Sequence, residues 1–172
     1  YYWKKILRTL PENFKYLEIG SLEGNSALFI INNFKVKKVV CVDIWEDENF
    51  KEEQHKNFNN YKKNINEFSN IVETFKGTSD AFFLKQKDKY DVIYIDGSHE
   101  TDQVYKDIKN SWNILNVNGI LICDDYFYGS IYKNPDNVPS IAINKFVNEL
   151  LENNSVGILC VNNSQIFLKK RN

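Results

Sequence analysis

Residues 16–26, YLEIGSLEGNS, decide how the rest of the chain is read. A β-rich run ends on Glu18 and Ile19, the chain turns at Gly20 and Gly24, and a helical pattern restarts at Asn25. Gly20 permits a tight turn and a close backbone approach. Gly24 lets the helix begin near a ligand, and Asn25 and Ser26 offer N–H and hydroxyl donors to an anionic group. A dinucleotide site wants G-x-G-x-x-G, but Leu22 and Asn25 stand where the second and third glycines belong. Glu18 also opposes a pyrophosphate, because like charges repel strongly in a poorly hydrated cleft. A ligand with its own carboxylate and a cationic centre suits the turn better. A plain strand–helix turn with no ligand is the alternative.

Outward from this turn, strand and helix alternate. KYLEIG (15–20), VVCVDI (39–44), NIVETFKG (70–77), DVIYIDG (91–97) and GILICDD (119–125) are short β-rich runs that end in Gly or Asp. Between them, Ala27, Leu28, Ile31 and Phe34 share one helical face, as do Val104, Ile108, Ser111, Trp112 and Leu115. Residues 138–152 repeat the pattern with Ile143, Phe146, Val147 and Leu150. Strands spaced by such helices imply a parallel sheet with right-handed crossovers. SVGILCV and SQIFLKK, joined by an Asn-Asn pair, read as a closing antiparallel hairpin. Residues 46–66 read as a polar helix whose charges, with His55, face solvent.

The bulk properties fit one domain spanning residues 1–172, with residues 1–14 as a short N-terminal helix. Lys+Arg 22 against Asp+Glu 23 gives a net charge of -1, which argues against nucleic acid or an anionic membrane as the main partner. No apolar run reaches the ~20 residues of a membrane helix, and no secretory leader is recognised, so a cytoplasmic location is expected. Cys41, Cys123 and Cys160 sit in apolar runs and read as free thiols. The chain has no Met, even at position 1, so it reads as trimmed or as a piece of a longer chain.

Asp43 ends the second strand, 23 residues after Gly20, where an acidic side chain accepts hydrogen bonds from a ribose diol; a helix cap is its alternative. Trp45 follows, placed to shield an adenosine. KGTSD (76–80) ends the third strand with small polar residues that suit an adenine edge or a helix N-cap equally. With these residues in place the chain resembles the class I S-adenosylmethionine-dependent methyltransferases, in a small group with the pattern E-I-G-S-x-E-G-x-S, D-x-W, I-D-G-S-H and D-D-Y. It is more distantly similar to the metal-dependent catechol and sugar O-methyltransferases. The resemblance covers residues 15–170. It implies a Rossmann-like α/β three-layer sandwich, with a mostly parallel seven-stranded sheet in the order 3-2-1-4-5-7-6 and an antiparallel last strand. It also implies cofactor contacts from Glu18, Gly20, Ser21, Leu22, Gly24, Asn25, Ser26, Asp43, Ile44, Trp45, Gly77, Thr78, Ser79, Asp96, Ser98 and His99.

YIDGSHETD follows the fourth strand and ICDDYFYGSIY the fifth, so Asp96, His99, Asp124 and Asp125 are expected to converge near the transferred methyl group. Methyl transfer needs donor and acceptor held in line, and removal of a proton if the acceptor is a hydroxyl. Three carboxylates packed together repel unless a cation or protons intervene, and oxygen ligands suit Mg²⁺ or another hard divalent ion. The metal-dependent relatives imply Asp96, Asp124 and Asp125 as that ion's ligands; the alternative leaves Asp96 on the cofactor and the Asp pair capping a turn. His99 stands where the catechol enzymes place a lysine base. It is read as the catalytic base with Asp96 beside it, against two alternatives: a cofactor or metal contact, or a cap of the next helix.

Tyr126, Phe127, Tyr128 and Tyr132 offer an aromatic wall for a small acceptor such as a sugar ring or phenol, or simple loop packing. The expectation is an O-methyltransferase working alone, as a homodimer, or attached to a larger chain. N-methylation is a variant of it. A catalytically silent scaffold domain is the rival, and an NAD-dependent enzyme is disfavoured by Leu22 and Glu18.

Overall fold

The computed structural model describes residues 2–46, 50–129 and 135–172. Seven strands form the central sheet: β1 (Phe14–Ile19), β2 (Val36–Asp43), β3 (Val72–Lys76), β4 (Tyr90–Ile95), β5 (Leu115–Cys123), β6 (Val156–Asn162) and β7 (Gln165–Lys170). Their order is β3-β2-β1-β4-β5-β7-β6. The first five are mutually parallel, and β7 runs antiparallel to both β5 and β6. This is the Rossmann-like architecture and strand order expected from the sequence.

Among the described residues six α-helices flank the sheet: α1 (Tyr2–Leu7), α2 (Asn25–Asn33), α3 (Lys51–Ile65), α4 (Ser79–Lys85), α5 (Thr101–Ile114) and α6 (Pro139–Glu152). The period-2 alternation of each strand sends successive side chains to opposite faces. Leu17, Val40, Ile93 and Leu121 meet Val104, Ile108 and Trp112 of α5 and Ile143, Phe146 and Val147 of α6. Tyr16, Val39, Cys41, Val92 and Ile122 meet Leu7 of α1, Ala27 and Ile30 of α2, and Tyr61 and Ile65 of α3. Two apolar cores, one per face, make the three layers. Cys41 and Cys123 are buried free thiols and Cys160 is half-buried. No described helix is long and apolar enough to cross a membrane.

Three local expectations shift. The inner face of α2 is centred on Ala27 and Ile30 rather than on Leu28. The polar helix keeps its charges and His55 outside but buries Asn57, Tyr61 and Ile65, so it has an inner stripe that its polarity concealed. The hairpin turns at Asn163 and Ser164, one residue later than read, with Asn162 still paired to Gln165. Both turn residues take positive φ, 49° and 66°, as a two-residue primed turn requires. Ser164 is held there by tertiary bonds: its carbonyl accepts the Tyr126 N–H at 2.7 Å and its hydroxyl accepts the Phe127 N–H at 3.0 Å.

The tips of β1 and β4 approach most closely at Gly20. Its φ is 88°, and a Cβ there would lie 2.0 Å from the Asp96 carbonyl oxygen. At Gly97 an added Cβ meets only Ile19 side-chain and backbone atoms at 3.5 Å or more, an ordinary contact. Gly20→Ala is therefore expected to destabilise by about 4 kcal/mol or more and Gly97→Ala by about 1 kcal/mol or less in urea unfolding; equal losses would contradict the crossing described.

Candidate active site

Asp43 organises the first turn. Its Oδ2 accepts the N–H groups of Ser21 at 2.9 Å and Leu22 at 2.8 Å, and its Oδ1 accepts the Trp45 N–H at 2.8 Å. The end of β2 is thereby tied to the end of β1. Trp45 then turns away from the cleft. It is 2% exposed, its rings pack against Phe58 and Tyr61 of α3, and its indole donates to the Leu22 carbonyl at 2.6 Å. The expected shield over the ligand is thus not Trp45, which supports the turn from behind. Ile44, exposed by 42%, faces the cleft.

Glu18 is fully buried beneath the turn, accepting the Ser26 hydroxyl at 2.6 Å and the Tyr16 hydroxyl at 3.0 Å. Burial pushes its carboxyl up despite these bonds. It does not line the cleft, and neither does Gly24, whose bare Cα makes room for Tyr61.

A cavity of about 930 Å³ runs along the carboxyl ends of the strands. The first turn contributes Gly20, Ser21, Leu22, Asn25 and Ser26. Asp43 and Ile44 follow from β2, Gly77, Thr78 and Ser79 from the end of β3, and Asp96 and Ser98 from the end of β4. Thr78 also caps α4 through the Ala81 N–H at 3.2 Å, so its two readings coexist. Sequence reasoning missed Gln103 and Asp107, which line the cavity from α5. Their signal was present: they are polar residues four apart, beside the apolar stripe of Val104 and Ile108. Asp107 is 1% exposed and accepts Gln103 Nε2 at 3.1 Å; burial pushes its carboxyl up to about 6.

At the other end of the cleft the Tyr94 hydroxyl sits between two carboxylates, 2.8 Å from Asp96 and in hydrogen-bond contact with Asp124. Asp124 also accepts Gln165 Nε2 at 2.6 Å, and Gln165 is itself held by the Trp3 indole at 2.7 Å. Burial first, opposed by the Tyr94 bond and reinforced by the charges of Asp124 and Asp125, raises the Asp96 carboxyl to about 7. Asp125 takes a φ of 55° and turns elsewhere. Its Oδ2 lies 2.7 Å from His99 Nε2, and the His99 ring stacks on Tyr128 with centroids 4.0 Å apart.

The expected three-aspartate cation site is therefore not assembled. Asp124 spends Oδ1 on the Asp125 N–H and Oδ2 on Gln165 and Tyr94, while Asp125 pairs with His99. Among the described residues no group of three or more His, Cys, Asp or Glu is placed to hold a metal ion. These donors do not fit a shared divalent ion. Tyr128, stacked on His99, is 42% exposed; Phe127, packed on Tyr126, is 56% exposed, and Tyr126 is bonded through its hydroxyl to Asn144. Tyr132 lies outside the described residues.

The geometry can be set beside known proteins. An uncharacterised protein, R132, of Acanthamoeba polyphaga mimivirus is 28% identical over 159 residues, covering 84% of this chain. This chain spans 66% of that protein's length, just under two thirds. The O-methyltransferase of Bacillus cereus, solved with S-adenosylhomocysteine, superposes with a TM-score of 0.74 at 16% identity, covering 99% of this chain and 79% of its own. TomG of Streptomyces achromogenes, an O-methyltransferase of tomaymycin synthesis solved with S-adenosylmethionine, gives 0.75 at 13% identity, covering 99% and 78%. These structures share the fold. The sequence of residues 17–126, more than half the chain, matches the family described as a methyltransferase domain, and the chain belongs to that family.

Proposed function

We propose that the chain transfers a methyl group from S-adenosylmethionine to a hydroxyl of a small acceptor, a phenol or a sugar. The observation that carries this reading is the cavity that joins the first turn to Asp96, Ser98 and Glu100, the last two on either side of His99, although His99 itself does not line it. Its groups fit the cofactor in chemistry. Asn25 and Ser26 open α2, where N–H donors favour a carboxylate. Asp96 offers a sulfonium a carboxyl whose ionised form the cation itself favours. Ile44, Thr78 and Ser79 give an adenine one apolar face and a polar edge. Three of the roughly four acceptor positions on Asp43 are already filled by N–H groups, so it has capacity for one ribose hydroxyl. Support also comes from the two O-methyltransferases of the same fold solved with the cofactor or its product.

When bound, S-adenosylmethionine supplies an electrophilic methyl group on sulfur. His99 takes the acceptor's hydroxyl proton as the oxygen–carbon bond forms and the carbon–sulfur bond breaks. With Nε2–H donated to Asp125, Nδ1 carries the free lone pair, and the Asp125 carboxylate stabilises the imidazolium that results. Tyr128 fixes the plane of the ring. Phe127 and Tyr128 present aromatic faces on which a planar or sugar acceptor can lie. Cofactor affinity is tested by calorimetric titration of S-adenosylhomocysteine. Micromolar binding is expected, and no binding at millimolar ligand would refute the assignment.

Chemistry and binding should separate in variants. His99→Ala and Asp125→Asn are each expected to slow methyl transfer by ~100-fold or more while S-adenosylhomocysteine affinity stays within about tenfold. Parallel loss of binding in both would remove them from the chemistry.

The buried carboxyls make stability pH-dependent. The unfolded chain releases the Asp107 proton near pH ~4, but the folded chain keeps it to about 6, and Asp96 keeps its own to about 7. Between these limits the folded state binds more protons, so both groups lower stability as pH rises. The melting temperature of Asp107→Asn minus that of the wild type should therefore climb from pH ~4 to pH ~6 and level off above. A flat or falling difference would contradict the burial assigned to Asp107.

A further inference from the structure

Leu22 at the cavity rim and Trp45 behind it hold a backbone conformation that L side chains avoid. Leu22 has a φ of 46° and Trp45 a φ of 42°. Left-handed backbone costs a non-glycine residue roughly 1–2 kcal/mol, and such outliers persist only where surrounding contacts over-determine them. Here the contacts link the two residues to each other. The Trp45 indole donates to the Leu22 carbonyl at 2.6 Å, and Asp43 holds the N–H groups of both. The Leu22 side chain is 53% exposed, so its own packing offsets only part of that cost.

Helix α3 closes the arrangement from outside. Phe58 and Tyr61 seat the Trp45 rings with centroids 4.9 and 4.5 Å away. Asn60 Nδ2 donates to the Glu23 carboxylate at 2.6 Å, and Asn64 Nδ2 to the Glu23 carbonyl at 2.9 Å. Four side chains of one helix thus grip the outer side of the segment whose inner side lines the cavity.

We propose that Trp45, backed by α3, is a positioning residue for the cofactor: its indole bond to the Leu22 carbonyl holds Leu22 left-handed and so sets the shape of the turn that S-adenosylmethionine meets. This role rests on the cavity's assignment to that cofactor. It differs from direct shielding, since Trp45 does not reach the cavity. It also differs from plain core packing, since it acts through one backbone carbonyl.

A double-mutant cycle read by calorimetric S-adenosylhomocysteine binding tests it. Trp45→Phe keeps an aromatic ring and loses the indole N–H. In the Leu22 background it should weaken binding roughly five- to tenfold, the scale of one hydrogen bond. Glycine adopts positive φ without a Cβ penalty, so in the Leu22→Gly background the same change should cost less than about threefold. Equal penalties in both backgrounds overturn the proposal, because a packing role is indifferent to residue 22. A second pair of variants leaves the core alone. Leu22→Ile keeps the apolar bulk but resists left-handed backbone, and it should bind at least about fivefold more weakly than Leu22→Gly. If Ile binds as well as Gly or better, the Leu22 side chain, not its backbone, matters, and the proposal fails. If the wild-type protein binds no S-adenosylhomocysteine, the cofactor reading falls first and this role with it. Wild-type binding with an uncoupled cycle removes only the positioning role.

Discussion

The missing side chain at Gly20 is the constraint on which the rest of the site depends. Any Cβ there would overlap the Asp96 carbonyl, so only glycine lets the tips of β1 and β4 lie in backbone contact. The backbone bonds on either side, Gly20 N–H to Val42 at 2.8 Å and Asp96 N–H to Ile19 at 2.8 Å, then fix three strand ends side by side. From that junction the turn carries donors toward α2, Asp43 comes across from β2, and Asp96 points from β4 into the same cleft. The parallel sheet supplies the alignment, and ligands in such sheets lie beyond the carboxyl ends of the strands.

The acidic character of the cleft is managed by hydrogen bonds. Asp43 is satisfied by three N–H groups, Asp124 by an amide and a phenol, and Asp125 by an imidazole. Asp96 is the least compensated of the group, with the Tyr94 hydroxyl shared between it and Asp124, and it keeps its proton to about 7. Burial without full pairing is what displaces a carboxyl upward. The hairpin and α1 take part at a distance: Trp3 orients Gln165, Gln165 orients Asp124, and Ser164 holds the chain just after Asp125.

The sheet was legible in the sequence because each of the first five strands is a β-rich run closed by Gly or Asp, and the strand order followed from the resemblance together with the terminal hairpin. Most of the cavity-lining residues were legible too, since strand tips and the turns after them are local features. What escaped depends on backbone direction. Asp124 and Asp125 are neighbours in sequence and look like one ligand pair, but the left-handed backbone at Asp125 sends their side chains to different partners. Of the expected pair Ile44 and Trp45, only Ile44 faces the cavity, because the Asp43 cap turns the chain at Trp45. The gripping residues of α3 are two asparagines and two aromatics in a charged segment, and composition alone gave no reason to place that face inward. Asp107 was passed over because the apolar stripe beside it dominated the reading of that helix.

The proposed reaction requires the cofactor to lie in the cleft with its sulfur toward His99. A crystal structure of the protein with S-adenosylhomocysteine tests it most directly. The account predicts the amino-acid end of the ligand at Gly20–Ser26, the ribose at Asp43, the adenine against Ile44 and Thr78, and the sulfur nearest the Asp96 and His99 end. Ligand density outside this cleft, or with the sulfur directed away from His99, would contradict it.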